Sequence, residues 1–118
     1  MTRTVPSGLE LLDERECYAV LGAQGVGTVD VARHRLTAPV ALPYVVDGQD
    51  LLLSTRGQPG LDDVLDGAVA SFEVDVVDEV RGASWRVVLV GPATADRLLV
   101  RVQPTDVTGY RLPSSGRG

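Results

Sequence analysis

Residues 68–77 carry the most restrictive pattern in the chain: Ala70, Phe72, Val74 and Val76 alternate with Ser71, Glu73 and Asp75. A period of two sends alternate side chains to opposite faces of an extended strand, so this segment is a half-buried strand and not an amphipathic helix. Shorter strand patterns recur along the chain. Residues 26–32 alternate around Val29 and Val31, residues 38–46 and 51–55 flank Asp47-Gly48, and residues 84–90 are strongly β-branched. Residues 98–102 and 107–112 supply one or two closing strands on either side of Pro104. Glycine accepts a positive φ without steric penalty, so Asp47-Gly48 predicts a hairpin between its flanking strands. Gly91-Pro92 is expected to end or bend the strand of residues 84–90.

Helical signals are few. Asp13 can cap a helix over residues 13–21, with Glu16 three positions on as in a capping box. Leu12, Cys17, Val20 and Leu21 can share one apolar face, Gly22 is the expected stop, and such a helix would plug one end of a sheet. Residues 61–65 have room for a turn or two after the Gly- and Pro-containing loop 56–60, with Gly67 closing it. A doubly wound sheet needs crossover helices between parallel strands, and only the first helix approaches that length. About six short strands with hairpin connections therefore predict a mostly β, antiparallel, closed or nearly closed barrel with one or two short helices, a form that removes exposed sheet edges.

A chain of 118 residues has room for one domain, expected over residues 1–112, with a flexible tail at 113–118 rich in Ser, Gly and Pro. At 44% hydrophobic and 23% charged, the composition is that of a folded globular protein. The net charge of −5, with all eleven basic residues arginine and scattered, argues against nucleic-acid binding. No run approaches the roughly 20 apolar residues of a membrane helix. Cys17 has no partner for an internal disulfide, which suits a reducing cytoplasm, so the reading is cytoplasmic. No metal site is expected. Asp62, Asp63 and Asp66 are explained by the positive end of the second helix, His34 between two arginines by a solvated surface, and Cys17 by burial as a small hydrophobe.

The order of these pieces resembles the pyridoxamine 5'-phosphate oxidase-like split-barrel family. The resemblance runs through Glu16-Cys17, Val26-Gly27-Thr28-Val29, Pro39-Val40-Ala41-Leu42-Pro43-Tyr44-Val45-Val46-Asp47-Gly48 and Leu51-Leu52-Leu53-Ser54-Thr55. It continues through Leu61, Ala70-Ser71-Phe72-Glu73-Val74-Asp75, Ser84-Trp85-Arg86-Val87-Val88-Leu89-Val90-Gly91 and Val107-Thr108-Gly109-Tyr110-Arg111-Leu112. It implies an antiparallel split β-barrel working as a homodimer, with FMN in a groove between subunits. It further implies an FMN-dependent oxidoreductase of unknown substrate, or a deazaflavin-dependent one. A flavin-free split-barrel dimer that uses the same groove for another small molecule is the alternative.

Carried onto this chain, the resemblance places Ser54 and Thr55 at the flavin phosphate, with Arg56 and Arg86 as substitutes for the missing cations, and Pro43, Tyr44 and Trp85 at the ring system. The competing roles are an ordinary strand end and polar loop for Ser54, Thr55 and Arg56, filling of the groove for Arg86, and packing for Tyr44 and Trp85. The chain departs from the family pattern where a phosphate is held. A basic residue commonly precedes the Thr matched by Thr55, and a Thr-Lys pair commonly precedes the Leu matched by Leu61; here those places hold Ser54 and Pro59-Gly60. Arg86 stands where the family often has a small Ser. The segment after Gly91 is shortened and loses a helical piece that helps to wall the groove.

Overall fold

A computed structural model describes residues 3–4, 9–31 and 39–112. The expectations for His34 and for the tail at 113–118 lie outside the described residues. Two strands of two residues, β1 (Arg3–Thr4) and β2 (Glu10–Leu11), precede helix α1 (Glu14–Ala23). Then follow β3 (Val26–Val31), β4 (Val40–Asp47), β5 (Asp50–Ser54), helix α2 (Leu61–Leu65), β6 (Val69–Asp78), β7 (Ala83–Asp96), β8 (Leu99–Val102) and β9 (Asp106–Leu112). All pairings are antiparallel. Six strands close in the order β3-β4-β5-β8-β7-β6, and β9 pairs outside this ring with the first part of β7, extending the sheet to β2 and β1. The split barrel expected from the sequence is the architecture found.

The alternation in β6 does what its period requires. Ala70, Phe72 and Val74 are buried, and they meet Val29, Val31, Leu42, Leu51, Leu53, Val87, Leu89, Val100 and Val102 inside the barrel. The β4–β5 hairpin forms as predicted, with Asp47 opposite Asp50 and Gly48 at φ 65°. Gly27 is narrow for the same reason that the core is dense: a Cβ there would lie 2.6 Å from the Phe72 ring.

Helix α1 is capped as expected. The Asp13 carboxylate accepts from the Glu16 amide at 2.8 Å, and Glu16 Oε1 accepts from the Asp13 amide at 2.9 Å. Cys17 and Leu21 are buried, and α1 closes one end of the barrel beside β9, where a Cβ on Gly109 would lie 2.6 Å from Cys17 Sγ. Burial, followed by the charges of Glu16 and Glu14, pushes the Cys17 thiol above its ordinary range, which suits packing rather than nucleophilic use. Gly22 does not stop the helix. The chain continues to Ala23 and is capped at Gln24, whose N–H donates to the Leu21 carbonyl at 3.3 Å.

At Gly91-Pro92 the sequence left two outcomes open, and the strand bends without ending. Residues 83–92 pair with β6, while residues 93–96 pair with β8. The link between β8 and β9 crosses the bend: Gln103 N–H donates to Pro92 O at 3.0 Å and Thr105 N–H to Val90 O at 2.8 Å. A Cβ at Gly91 would run into the Gln103 carbonyl, so only glycine lets the two backbones pass. β7 thereby serves both parts of the molecule, the barrel and the β6-β7-β9 ribbon.

Candidate functional site

Alternation also defines the outer surface of the barrel. On β4, Leu42 and Tyr44 are buried and Pro43 is exposed; on β5, Leu53 is buried and Ser54 half-buried; on β8, Val100 is buried and Leu99 is 49% exposed. Val26 of β3, 55% exposed, is in register with Pro43, and Ser54 is in register with Leu99. Tyr44 opposes Leu53, so the next outward pair on β4 and β5 is Pro43 and Ser54. Val26, Pro43, Ser54 and Leu99 form one row across the outside of four strands, a shelf that is apolar except for one hydroxyl.

Thr55 and Arg56 follow the shelf. Thr55 is buried, and both its N–H, at 2.9 Å, and its Oγ1, at 3.1 Å, donate to the Leu98 carbonyl. Its hydroxyl proton is committed to the fold, so Thr55 anchors the loop. The Ser54 hydroxyl accepts from the Arg56 N–H at 3.4 Å. The Arg56 side chain is exposed and makes no ion pair among the described residues. The Leu61 N–H, which could have served a phosphate, is used within the turn by Gln58 O at 3.1 Å.

Tyr44 takes the packing role. It is 5% exposed, meets Phe72 edge-on at 5.2 Å and donates its hydroxyl to the Leu21 carbonyl at 2.5 Å. Burial pushes its phenol up to about 12.

Trp85 and Arg86 lie elsewhere, on the ribbon. The Arg86 guanidinium donates to both Asp75 oxygens, at 2.7 and 3.4 Å, and lies 3.5 Å from Glu73 Oε2. Burial raises the Glu73 carboxyl above its ordinary range, with Arg86 opposing the shift and Asp75 adding to it. One cation held by two carboxylates is a poor phosphate ligand, because the incoming anion meets net negative charge. Trp85 is half-buried with the Arg111 guanidinium 5.7 Å from its ring centre, and Arg111 is paired to Glu10 at 2.7 Å. A cavity of about 390 Å³ opens here between Asp75, Val77, Trp85, Arg86, Tyr110 and Leu112.

The seven residues singled out from sequence thus fall into two groups that one chain does not unite. Pro43, Ser54, Thr55 and Arg56 sit at the barrel shelf with Tyr44 beneath, and the shelf's row reaches β7 at Asp96, which opposes Leu99. Trp85 and Arg86 are at the other end of that strand, about 30 Å of extended chain away.

A search of protein families matches residues 13–96 to the family described as pyridoxamine 5'-phosphate oxidase. The chain belongs to that family. No curated protein matches it in sequence. Among solved structures, this family member is similar to an FAD binding protein from Mycobacterium smegmatis at 25% identity and TM-score 0.76, covering 87% of this chain and 97% of that one. It is also similar in fold to an FAD-binding protein from Mesorhizobium loti at 21% identity and TM-score 0.69, covering 87% and 96%. An FAD and heme binding protein from M. smegmatis shares the fold at 14% identity and TM-score 0.64, covering 90% and 74%. No group of three or more metal-ligating side chains is present among the described residues, and no described helix is long and apolar enough to cross a membrane.

Membership in this family sharpens what sequence reading missed. Val26 and Leu99 carry no chemical signature, and only strand register shows that they flank Pro43 and Ser54. Arg97, in the turn between β7 and β8, was hidden because Asp96-Arg97-Leu98-Leu99 contains no glycine or proline to mark a turn.

Proposed function

We propose that this chain binds a flavin nucleotide, with FMN as the working ligand, and acts as a flavin-dependent oxidoreductase in a homodimer. The observation that carries the reading is the apolar shelf of Val26, Pro43 and Leu99, broken by the Ser54 hydroxyl and running on to an arginine that no described carboxylate holds. An apolar surface fits a largely apolar ring system, and a guanidinium beside it fits the phosphate on the ring's tail. Family membership and the FAD named for the similar M. smegmatis protein support a flavin in general.

In this reading Pro43 and Leu99 exclude water from one face of the ring. Ser54 offers it a hydrogen bond, Arg56 binds the tail, and Thr55 holds the Arg56 loop against the β7–β8 turn. Bound, the flavin supplies the hydride chemistry that no side chain of the site offers. The separation of the two groups supports the homodimer: a two-fold partner can bring its ribbon, with Trp85, to the shelf of the first chain, whereas one chain does not reach both.

The test is an absorption spectrum of the purified protein mixed with excess FMN and passed through gel filtration, with light scattering on the same peak. Retention of about one flavin per subunit on a particle of twice the chain mass is the expected result. A colourless protein would remove the flavin and leave the family's flavin-free alternative, a dimer whose shelf takes another small molecule.

A further inference from the structure

The turn between β7 and β8 holds only Arg97 and Leu98, because Asp96 and Leu99 are already paired across the hairpin. Arg97 has φ 61°, and among the described residues it is the one non-glycine with positive φ; Gly48, Gly57, Gly60, Gly67 and Gly82 fill the others. Glycine adopts this conformation freely, and a side chain there meets the following carbonyl. The first position of a tight hairpin turn with positive φ is therefore glycine's place. Nothing within the described fold rewards the arginine, since its side chain is exposed and neither hydrogen-bonded nor ion-paired there. Elsewhere in the described fold Arg81, Arg86, Arg101 and Arg111 have carboxylate partners, while Arg15 on α1 has none, so it is the positive φ that sets Arg97 apart.

The turn is fastened to the shelf. The Leu98 carbonyl receives both donors of Thr55, so Arg97 and Arg56 each stand one residue from the same bonded contact. Leu99, next in the chain, is part of the shelf, in register with Ser54. We propose that Arg97 and Arg56 together form a two-armed anion site that grips the phosphate tail of the ligand on the shelf. The proposal rests on the flavin reading for the identity of the ligand. Asp62, Asp63 and Asp96 lie close by in the chain, and against their field a single guanidinium is a weak partner for a phosphate dianion. Two forks from separate loops give the directional, charge-assisted contacts that a dianion requires. A residue kept in an unfavourable conformation without a structural return is the pattern expected of a binding residue.

The test compares Arg97→Gly with the unaltered protein, because glycine suits the turn and the variant is expected to fold with a raised midpoint of thermal unfolding. FMN and riboflavin, which lacks the phosphate, are each titrated by fluorescence. Loss of a charge-assisted contact is expected to weaken FMN about tenfold or more and to leave riboflavin unchanged. Equal FMN affinity in both proteins, or an equal loss for both ligands, overturns the proposal. Should the unaltered protein bind neither flavin, pyrophosphate is titrated by NMR. Shifts at the Arg97 and Arg56 side chains of the unaltered protein, with the Arg56 shift lost in Arg97→Gly, uphold the anion site while the flavin reading falls; a spectrum indifferent to pyrophosphate, or an Arg56 shift unchanged in the variant, overturns the anion site.

Discussion

Along β7 the first part, residues 83–90, lies between β6 and β9, and its Arg86 is held by Asp75 and Glu73. The last part, residues 93–96, lies against β8 and turns at Arg97, which no described carboxylate holds. The two parts belong to one strand and each offers an arginine, yet the surroundings give those arginines opposite work. On the ribbon the guanidinium reaches across from β7 to two acids on one face of β6, as side chains facing one another on adjacent strands do. At the shelf the guanidiniums of Arg56 and Arg97 pair with no described carboxylate. An arginine's partner, more than its position in a motif, decides whether it can hold a ligand.

Gly91 keeps the two regimes in one strand, and the largest effect is expected there. Replacing Gly91 by Ala puts a methyl group onto the Gln103 carbonyl, backbone against backbone, with no flexible side chain to yield. We expect Gly91→Ala to lose about 3 kcal/mol or more in urea unfolding, or not to fold. A loss under about 1 kcal/mol would mean that the crossing of the β8–β9 link over β7 is looser than drawn, and that ribbon and barrel are less firmly joined.

The barrel side has its own titratable marker in Tyr44. Its phenol is raised from 10.0 to about 12 by burial, so the unfolded chain ionises first as pH rises. The contribution is fully present below pH 10 and is lost as pH rises toward about 12, amounting to about 2–3 kcal/mol by linkage. Denaturant unfolding measured at pH 9 and pH 11 should show about half of this fall, and Tyr44→Phe should reduce it, with a remainder from the buried Cys17 thiol. A fall of equal size in Tyr44→Phe would place the alkaline sensitivity elsewhere.

How much of this was legible in advance divides along the same line. The strands of the barrel were readable, because burial on one face writes itself into the sequence as alternation, most plainly from Ala70 to Val76. The helix cap at Asp13 was readable because capping is local. The engagement of Arg86 with Asp75 and Glu73 is not legible in the sequence, because these partners are more than ten residues away and meet it only through the β6–β7 register. Tyr44 sits beside Pro43 in sequence but faces the opposite way, and one step of pleat separates the core from the shelf. Arg97 was missed because turn prediction relies on glycine and proline, and this turn has an arginine in the place that glycine favours.

At the shelf, Arg56→Ala should leave stability within about 0.5 kcal/mol, since the side chain touches no described partner, while weakening FMN about tenfold. An unchanged FMN affinity would dissolve the contrast between free and engaged arginines from the shelf side.

The smallest effect is expected from Arg86→Ala, and it tests the contrast from the ribbon side. Removing the cation leaves Glu73 and Asp75 side by side on one face of β6, but the Arg86 side chain is 44% exposed and Asp75 48%, so water and salt screen much of the pair. The expected loss is about 0.5–1 kcal/mol, shrinking at high salt, with FMN affinity within about twofold of the unaltered protein. If Arg86→Ala instead weakened FMN and spared riboflavin while stability held, the arginine would be reaching a phosphate despite its two carboxylates. The ribbon of one subunit would then have to lie over the shelf of another closely enough for Asp75 and Glu73 to release it. The stability and affinity arms of this one variant thus separate a strut within the sheet from a ligand arm in the dimer.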